Sequence, residues 1–241
     1  MRRWILILCA LFMAGSAYAQ PALGSRDRPL RVILIPADGG TEDGTRADYQ
    51  PIFSAVSRLS GLQFNIRVGQ SYGAVVEALC NGSADVAFVG PVTYIQANRR
   101  KCAELLAVAV EKGRSTYYAG LFTRAASPIR AIKDLKGKRV AFGDVNSTSA
   151  FVFPMAMIID AGLNPVRDLG AIRMTGSHAN SVAALAQGQV DVAALSFDSF
   201  DKAISQGGVD PKGVRVVARS IAIPYPPIVM NAKLPPALKA K

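Results

Sequence analysis

Two distant stretches of this chain spell the same local structure, and that repetition limits the folds open to it. Val75 to Val89 reads VVEALCNGSADVAFV and Val182 to Leu195 reads VAALAQGQVDVAAL. Each passes from an apolar helical pattern through a glycine turn to an aspartate and then a short apolar run. A continuous apolar run after a helix is the pattern of a strand buried on both faces, as parallel strands are. Repeated helix–strand units therefore predict an α/β chain with parallel strands, built as two similar lobes.

The rest of the chain keeps this alternation. In the first half, strands are expected at Leu30–Ile35, Phe64–Val68, Ala84–Val89 and Leu105–Val110, and helices at Asp48–Leu59, Tyr72–Leu79 and from Pro91 to about Asn98. The apolar run from Tyr117 to Thr123 is placed to connect the lobes. Beyond it, strands are expected at Arg139–Phe142, Ala171–Met174, Val190–Leu195 and Val214–Ala218. Helices are expected at Ile132–Leu135, Ser149–Ala161, Ala179–Gln187 and Phe197–Ser205. Asp85 and Asp191, each opening a buried strand after a glycine turn, are expected to hydrogen-bond the turn backbone and hold no ligand.

The first residues read as a secretory signal: Arg2 and Arg3, an apolar run from Trp4 to Gly15, and Ala17-Tyr18-Ala19 before Gln20. Leu8 before Cys9 argues against a lipoprotein anchor. Removing residues 1–19 takes two arginines and no acid, leaving 222 residues with a net charge of +9. The expectation is an exported, soluble, basic protein of the periplasm. Half the residues are apolar, enough for one large core or two small ones. The densest basic clusters, Arg99-Arg100-Lys101 and Lys136, Lys138 and Arg139, are not interleaved with aromatics as a nucleic-acid groove would be, and read as solvated faces. Cys80 and Cys102 remain after cleavage, an even pair in an oxidising compartment. A single histidine excludes a His-rich metal site.

Catalysis has no clear home: there is no nucleophile elbow, paired-carboxylate motif or metal cluster, and GKRVAFG (Gly137 to Gly143) lacks the order of a phosphate loop. A hydrolase using His178 with a serine or cysteine lacks a visible oriented triad. Binding has a natural place. In open α/β sheets ligands collect at the carboxyl ends of strands, beside helix N-termini with unpaired N–H groups. Ser71-Tyr72, Thr93-Tyr94, Ser147-Thr148-Ser149 and His178 all fall at such helix starts. Donors of this kind converging from two lobes suit a tetrahedral oxyanion. For Ser147 to Ser149, ordinary N-capping stands beside the oxyanion reading. For His178, a satisfied structural role stands beside a ligand contact.

Several phrases then carry a resemblance: SYGAVVEAL, DVAFVGPVTY, TYYAGLF, DLKGKRVAFGDVNSTSAFVFP, GSHANSV followed by GQVDVAAL, and VRVVARSIAIPYPPIVM. In this order they resemble the phosphonate/phosphite-binding family of periplasmic substrate-binding proteins. The resemblance implies a type II periplasmic binding protein fold: two doubly wound α/β lobes, residues 27–117 with 220–241 and residues 118–219, joined by crossing strands around a cleft. It implies no cofactor, and a monomer that closes on a phosphonate, phosphite, phosphate or related oxyanion. The partner would be an ABC transporter permease or, if the protein is a sensor that also accepts an arsenic oxyanion, a membrane sensor kinase.

Carried over by residue, the resemblance implies ligand contacts from Tyr72, Tyr94, Tyr118 (Tyr117 if the register slips by one), Ser147, Thr148, Ser149 and His178. Asp198 stands where members that bind aminoalkylphosphonates place an acid for the amine. The second such acid is missing, with Pro226 in its place, which argues for a simpler oxyanion. The resemblance also implies further helices past KLPPALKAK, the phrase at which this sequence stops.

Overall fold

The computed structural model describes residues 20–37, 41–110 and 113–241, so the expected signal segment lies outside the described residues. The first half runs β1 (Leu30–Leu34), α1 (Glu42–Ser60), β2 (Phe64–Val68), α2 (Tyr72–Cys80), β3 (Val86–Phe88), α3 (Pro91–Arg99) and β4 (Ala103–Val108). Two short strands, β5 (Thr116–Tyr117) and β6 (Ala119–Arg124), lead into the second half. There a 3-10 turn at Ile132–Leu135 precedes β7 (Arg139–Phe142), and a π-helical turn at Thr148–Val152 runs straight into α4 (Phe153–Asp160). Then follow α5 (Pro165–Asp168), β8 (Ala171–Met174), α6 (His178–Ala186), β9 (Val192–Ser196), α7 (Phe197–Ser205) and β10 (Val214–Arg219). The chain returns through β11 (Ile223–Pro224) and β12 (Pro227–Asn231) to α8 (Pro236–Lys239).

These elements form two five-stranded sheets of matching design. The first has the order β2-β1-β3-β12-β4 and the second β8-β7-β9-β6-β10. In each, the central strands run parallel and one antiparallel strand arrives from the other half: β12 lies between β3 and β4, and β6 lies between β9 and β10. An antiparallel ribbon of β5 and β11 joins the halves. Alternate residues of β1 serve the two faces, as the period-2 pleat requires. Val32 and Leu34 pack with Phe53 of α1, and Ile33 packs with Val75 and Leu79 of α2. In the second sheet Val140 and Phe142 pack with Ile158 of α4, while Ala141 packs with Val182 and Leu185 of α6.

Three differences from the sequence reading have identifiable causes. Helix α1 begins six residues before Asp48, because the Thr41 hydroxyl caps it by accepting the Gly44 N–H at 3.0 Å. The expected helix Ser149–Ala161 is broken into a π turn and α4, with Ser147 capping the start through the Ala150 N–H. Asp85 and Asp191 are structural, but their partner is an arginine on the neighbouring strand instead of the turn. Asp85 accepts the Arg31 backbone N–H at 2.9 Å and both sides of its guanidinium at 2.8 and 2.7 Å. Asp191 takes the same three bonds from Arg139 at 2.9, 3.1 and 2.8 Å. A bidentate arginine fork fixes both partners' orientation, so each clamp locks the register of a central strand pair at the end away from the cleft. Cys80 and Cys102 form a disulfide that ties the end of α2 to the start of β4.

The Arg139 guanidinium bonded to Asp191 holds that carboxyl below the usual range. A carboxylate with a depressed folded pKa contributes stability above its unfolded value of about 3.9, and the contribution is lost as pH falls through the lower folded value. Asp191→Asn is therefore expected to lower the urea midpoint clearly at pH 7 and less as the pH approaches 3. Equal losses at both pH values would contradict an ionic clamp.

Candidate functional site

The carboxyl ends of β1, β2 and β3 face those of β7, β8 and β9 across the gap between the sheets, and the helices that follow them begin there. The repeat that opened the sequence reading acquires a geometric meaning at these helix starts. The offset that lays Asp85 on Asp191 also lays Ser71-Tyr72 on Ser177-His178. Both serines cap their helices, accepting the Ala74 N–H and the Asn180 N–H at 3.1 Å each. Tyr72 and His178 are thus equivalent first residues of α2 and α6, and both are buried, at 2% and 5% exposure.

The helix starts are bonded across the gap. The Tyr72 N–H donates to the Asp144 carboxylate at 3.1 Å, and the His178 N–H donates to the Ala37 carbonyl at 3.2 Å. The Val92 N–H at the start of α3 donates to the Thr148 hydroxyl oxygen at 2.9 Å. Asn146 accepts from the Thr93 hydroxyl at 3.2 Å through its carbonyl and from the Gln96 amide at 2.9 Å through its side chain. An ion pair between Lys202 and Asp48 joins α7 to α1. The two halves are therefore closed on each other, and three of these contacts belong to residues of the wall.

Between the halves lies a cavity of about 380 Å³. Tyr72, Ser147, Thr148, Ser149, His178 and Asp198 all line it, so six of the eight residues singled out from sequence come together. Tyr94 does not line it and packs against the core that holds Ile33, Val75 and Leu79. Tyr118 is also absent from the wall: Tyr117 stands there, in edge contact with Tyr225 at 5.8 Å, while Tyr118 lies under the Arg219 guanidinium at 3.6 Å. Adjacent residues of an extended ribbon point to opposite sides, so the one-residue register decides which tyrosine meets the cavity. Cys80, bonded to Cys102, is not on the wall, and a Cys–His pair with His178 does not form.

Sequence reading missed Ser196, Ser199, Tyr49 and Tyr225, which also line the cavity. The repeat carried a signal for two of them, since the same offset places Gly90 on Ser196 and Thr93 on Ser199. The Ser196 N–H donates to His178 Nδ1 at 3.2 Å. A ring nitrogen that accepts holds no proton, so in the neutral ring the proton sits on Nε2. The Ser196 and Ser199 hydroxyls are paired at 2.5 Å, and Ser147 Oγ is taken up by its capping bond. Ordinary N-capping thus accounts for one of the three consecutive hydroxyls, and Thr148 bridges the halves. No lysine or arginine is among the described lining residues. The wall combines helix N-termini, hydroxyls and an imidazole, a donor set for a compact anion.

Two sheets with exchanged antiparallel strands, closed around a cavity at their carboxyl ends, make this a periplasmic binding protein fold. A binding protein component of an ABC phosphonate transporter from Pseudomonas aeruginosa superposes with a TM-score of 0.80 at 21% identity, covering 88% of this chain and 72% of that one. The sequence profile described as ABC transporter, phosphonate, periplasmic substrate-binding protein matches residues 40–241, and the chain belongs to that family. It is 31% identical over 219 residues to the phosphate-import protein PhnD of Mycolicibacterium smegmatis, covering 86% of this chain and 67% of the relative. It is 26% identical over 241 residues to the phosphonates-binding periplasmic protein of Escherichia coli, covering 98% of this chain and 70% of the relative.

Thr148→Val keeps the shape of the side chain and removes the acceptor of the Val92 N–H. A hydrogen bond of this kind is worth about 1 kcal/mol, enough to shift a lobe equilibrium severalfold. The variant is expected to show a larger radius of gyration in small-angle scattering without ligand. An unchanged radius would mean that this bond does not hold the halves together.

Proposed function

We propose that the protein captures a tetrahedral phosphorus oxyanion, a phosphonate, phosphite or phosphate, in the periplasm and delivers it to the permease of an ABC transporter. The observation that carries this reading is the convergence of Ser147, Thr148, Ser149, Tyr72 and His178 on one cavity with no lysine or arginine among its described lining residues. The start of the Thr148–Val152 turn and the hydroxyls of the wall supply directed donors to the ligand's oxygens, and the positive ends of the helix dipoles offset its charge. His178, protonated at Nε2 in its neutral form, adds a donor. The names of the phosphate-import and phosphonates-binding relatives support the same ligand class. The family's transport role favours a permease over a sensor kinase as the membrane partner.

In this reading residues 27–117 with 220–241 form one lobe and residues 118–219 the other. The β5–β11 ribbon is the hinge, and the exported monomer, freed of residues 1–19, opens and closes about it. Isothermal titration of the mature protein with phosphate, phosphite, methylphosphonate and sulfate tests the proposal. At least one phosphorus oxyanion is expected to bind one to one. Losing a hydrogen bond to a charged group costs about 1.5–3 kcal/mol, so Ser149→Ala and His178→Ala should each weaken binding about ten- to a hundredfold. A folded protein that binds none of the phosphorus oxyanions would refute it.

A further inference from the structure

The cavity wall is divided by chemistry. The serines, Thr148, His178 and Asp198 come from the second half's helix starts, whereas the first half contributes tyrosines (Tyr49, Tyr72, Tyr117 and Tyr225) and the aliphatic and aromatic groups of Ile35 just after β1, Phe88 of β3, Ile228 of β12 and Ile52 of α1. Val108, from the end of β4, and Pro226, just before β12, extend this apolar side. The Tyr49 ring packs on Phe88 with centroids 4.6 Å apart, adding an aromatic face. Asp198 is the one carboxylate among the described lining residues, and it is on α7, in the other half.

Two further observations bear on the occupant. A cavity of about 380 Å³ is several times what a bare tetrahedral oxyanion fills, since a water takes up roughly 30 Å³ of liquid. Ile52 and Val108 keep 46% and 43% of their surface exposed although the halves are closed. Apolar surface left wet beside a polar anion site favours a ligand that carries both kinds of surface.

We infer that the ligand is an organophosphonate whose phosphorus carries an apolar substituent of about three to six carbons or a phenyl ring, seated against Ile35, Ile52, Phe88, Val108 and Ile228. This inference rests on the oxyanion reading above and narrows its ligand class. The phosphonate oxygens face the Ser147–Ser149 turn and His178, and the substituent points into the first half. An aminoalkyl group is disfavoured there, because a buried ammonium needs a carboxylate partner and Asp198, the one carboxylate among the described lining residues, is on the other half.

The test is titration with methyl-, n-butyl-, phenyl- and 2-aminoethylphosphonate and inorganic phosphate. Burying one methylene is worth about fourfold in affinity. The n-butyl and phenyl compounds are therefore expected to bind at least about tenfold more tightly than methylphosphonate, and the Ile52→Asn and Val108→Thr variants should reduce that ratio. Methylphosphonate or phosphate binding as tightly as the larger ligands, or 2-aminoethylphosphonate binding most tightly, would overturn the apolar-substituent inference and leave the oxyanion reading standing. Binding of none of the five would overturn both.

Discussion

The N–H groups in the first turn of a helix have no partner inside that helix, and burying them is costly unless something else accepts. In this protein several of the acceptors lie across the cleft. Asp144 and Thr148 of the second half take the N–H groups of Tyr72 and Val92, and Ala37 of the first half takes that of His178. The exchange is reciprocal, because Tyr72 and His178 occupy equivalent positions in the repeat and each donates to the loop that follows the other half's leading strand. Tyr72, Thr148 and His178 also line the cavity, so the contacts that hold the halves together are made by the same residues that shape the site. Closing the halves and assembling the site are one event.

The exchanged strands make the two halves inseparable. Strand β12 sits between β3 and β4, with Val229 wholly buried, although its residues come after the entire second half. Its Asn231 amide donates to the Leu79 and Ala84 carbonyls at 2.7 and 3.0 Å, tying the return strand to the α2–β3 unit. Proline opens β12 at Pro227, a strand position where its missing N–H does least harm. A sheet completed by a sequence-distant strand forms late, since the long loop must close before the pairing rewards it.

The charge of the protein and the chemistry of its cavity are separate matters. The whole chain carries a net charge of +11, yet the described wall has no lysine or arginine. A buried guanidinium brings a desolvation cost that an ion pair does not always recover, whereas N–H groups and hydroxyls held by helix geometry are oriented before the ligand arrives. Surface charge instead acts at a distance, raising the local concentration of anions and their rate of encounter. Arg219, stacked on Tyr118 and 4.9 Å from the Phe197 centroid, places a cation beside the β5–β11 ribbon without putting it in the wall.

Much of this organisation was legible in the chain. Strands Phe64–Val68, Arg139–Phe142 and Ala171–Met174 and helix Phe197–Ser205 have the bounds that apolar patterning predicts, because strand runs and helix caps are local signals, even where the strand, as at Ala171–Met174, lies exposed at a sheet edge. The strand ends that carry donors followed for the same reason, which brought Tyr72, Ser147 to Ser149 and His178 into view, while Asp198 came from the family resemblance alone. Strands β11 and β12 were not foreseen: a segment with Pro224, Pro226 and Pro227 has little local strand character and becomes one by pairing with distant partners. Sequence by itself determined the elements, their order and the faces where donors gather. Tertiary structure alone decided that Tyr117 and not Tyr118 meets the cavity, that Tyr94 turns to the core, and that Ser196 and Ser199 join the wall. Those outcomes depend on strand register and on contacts between halves, and neither is encoded by residues adjacent in the chain.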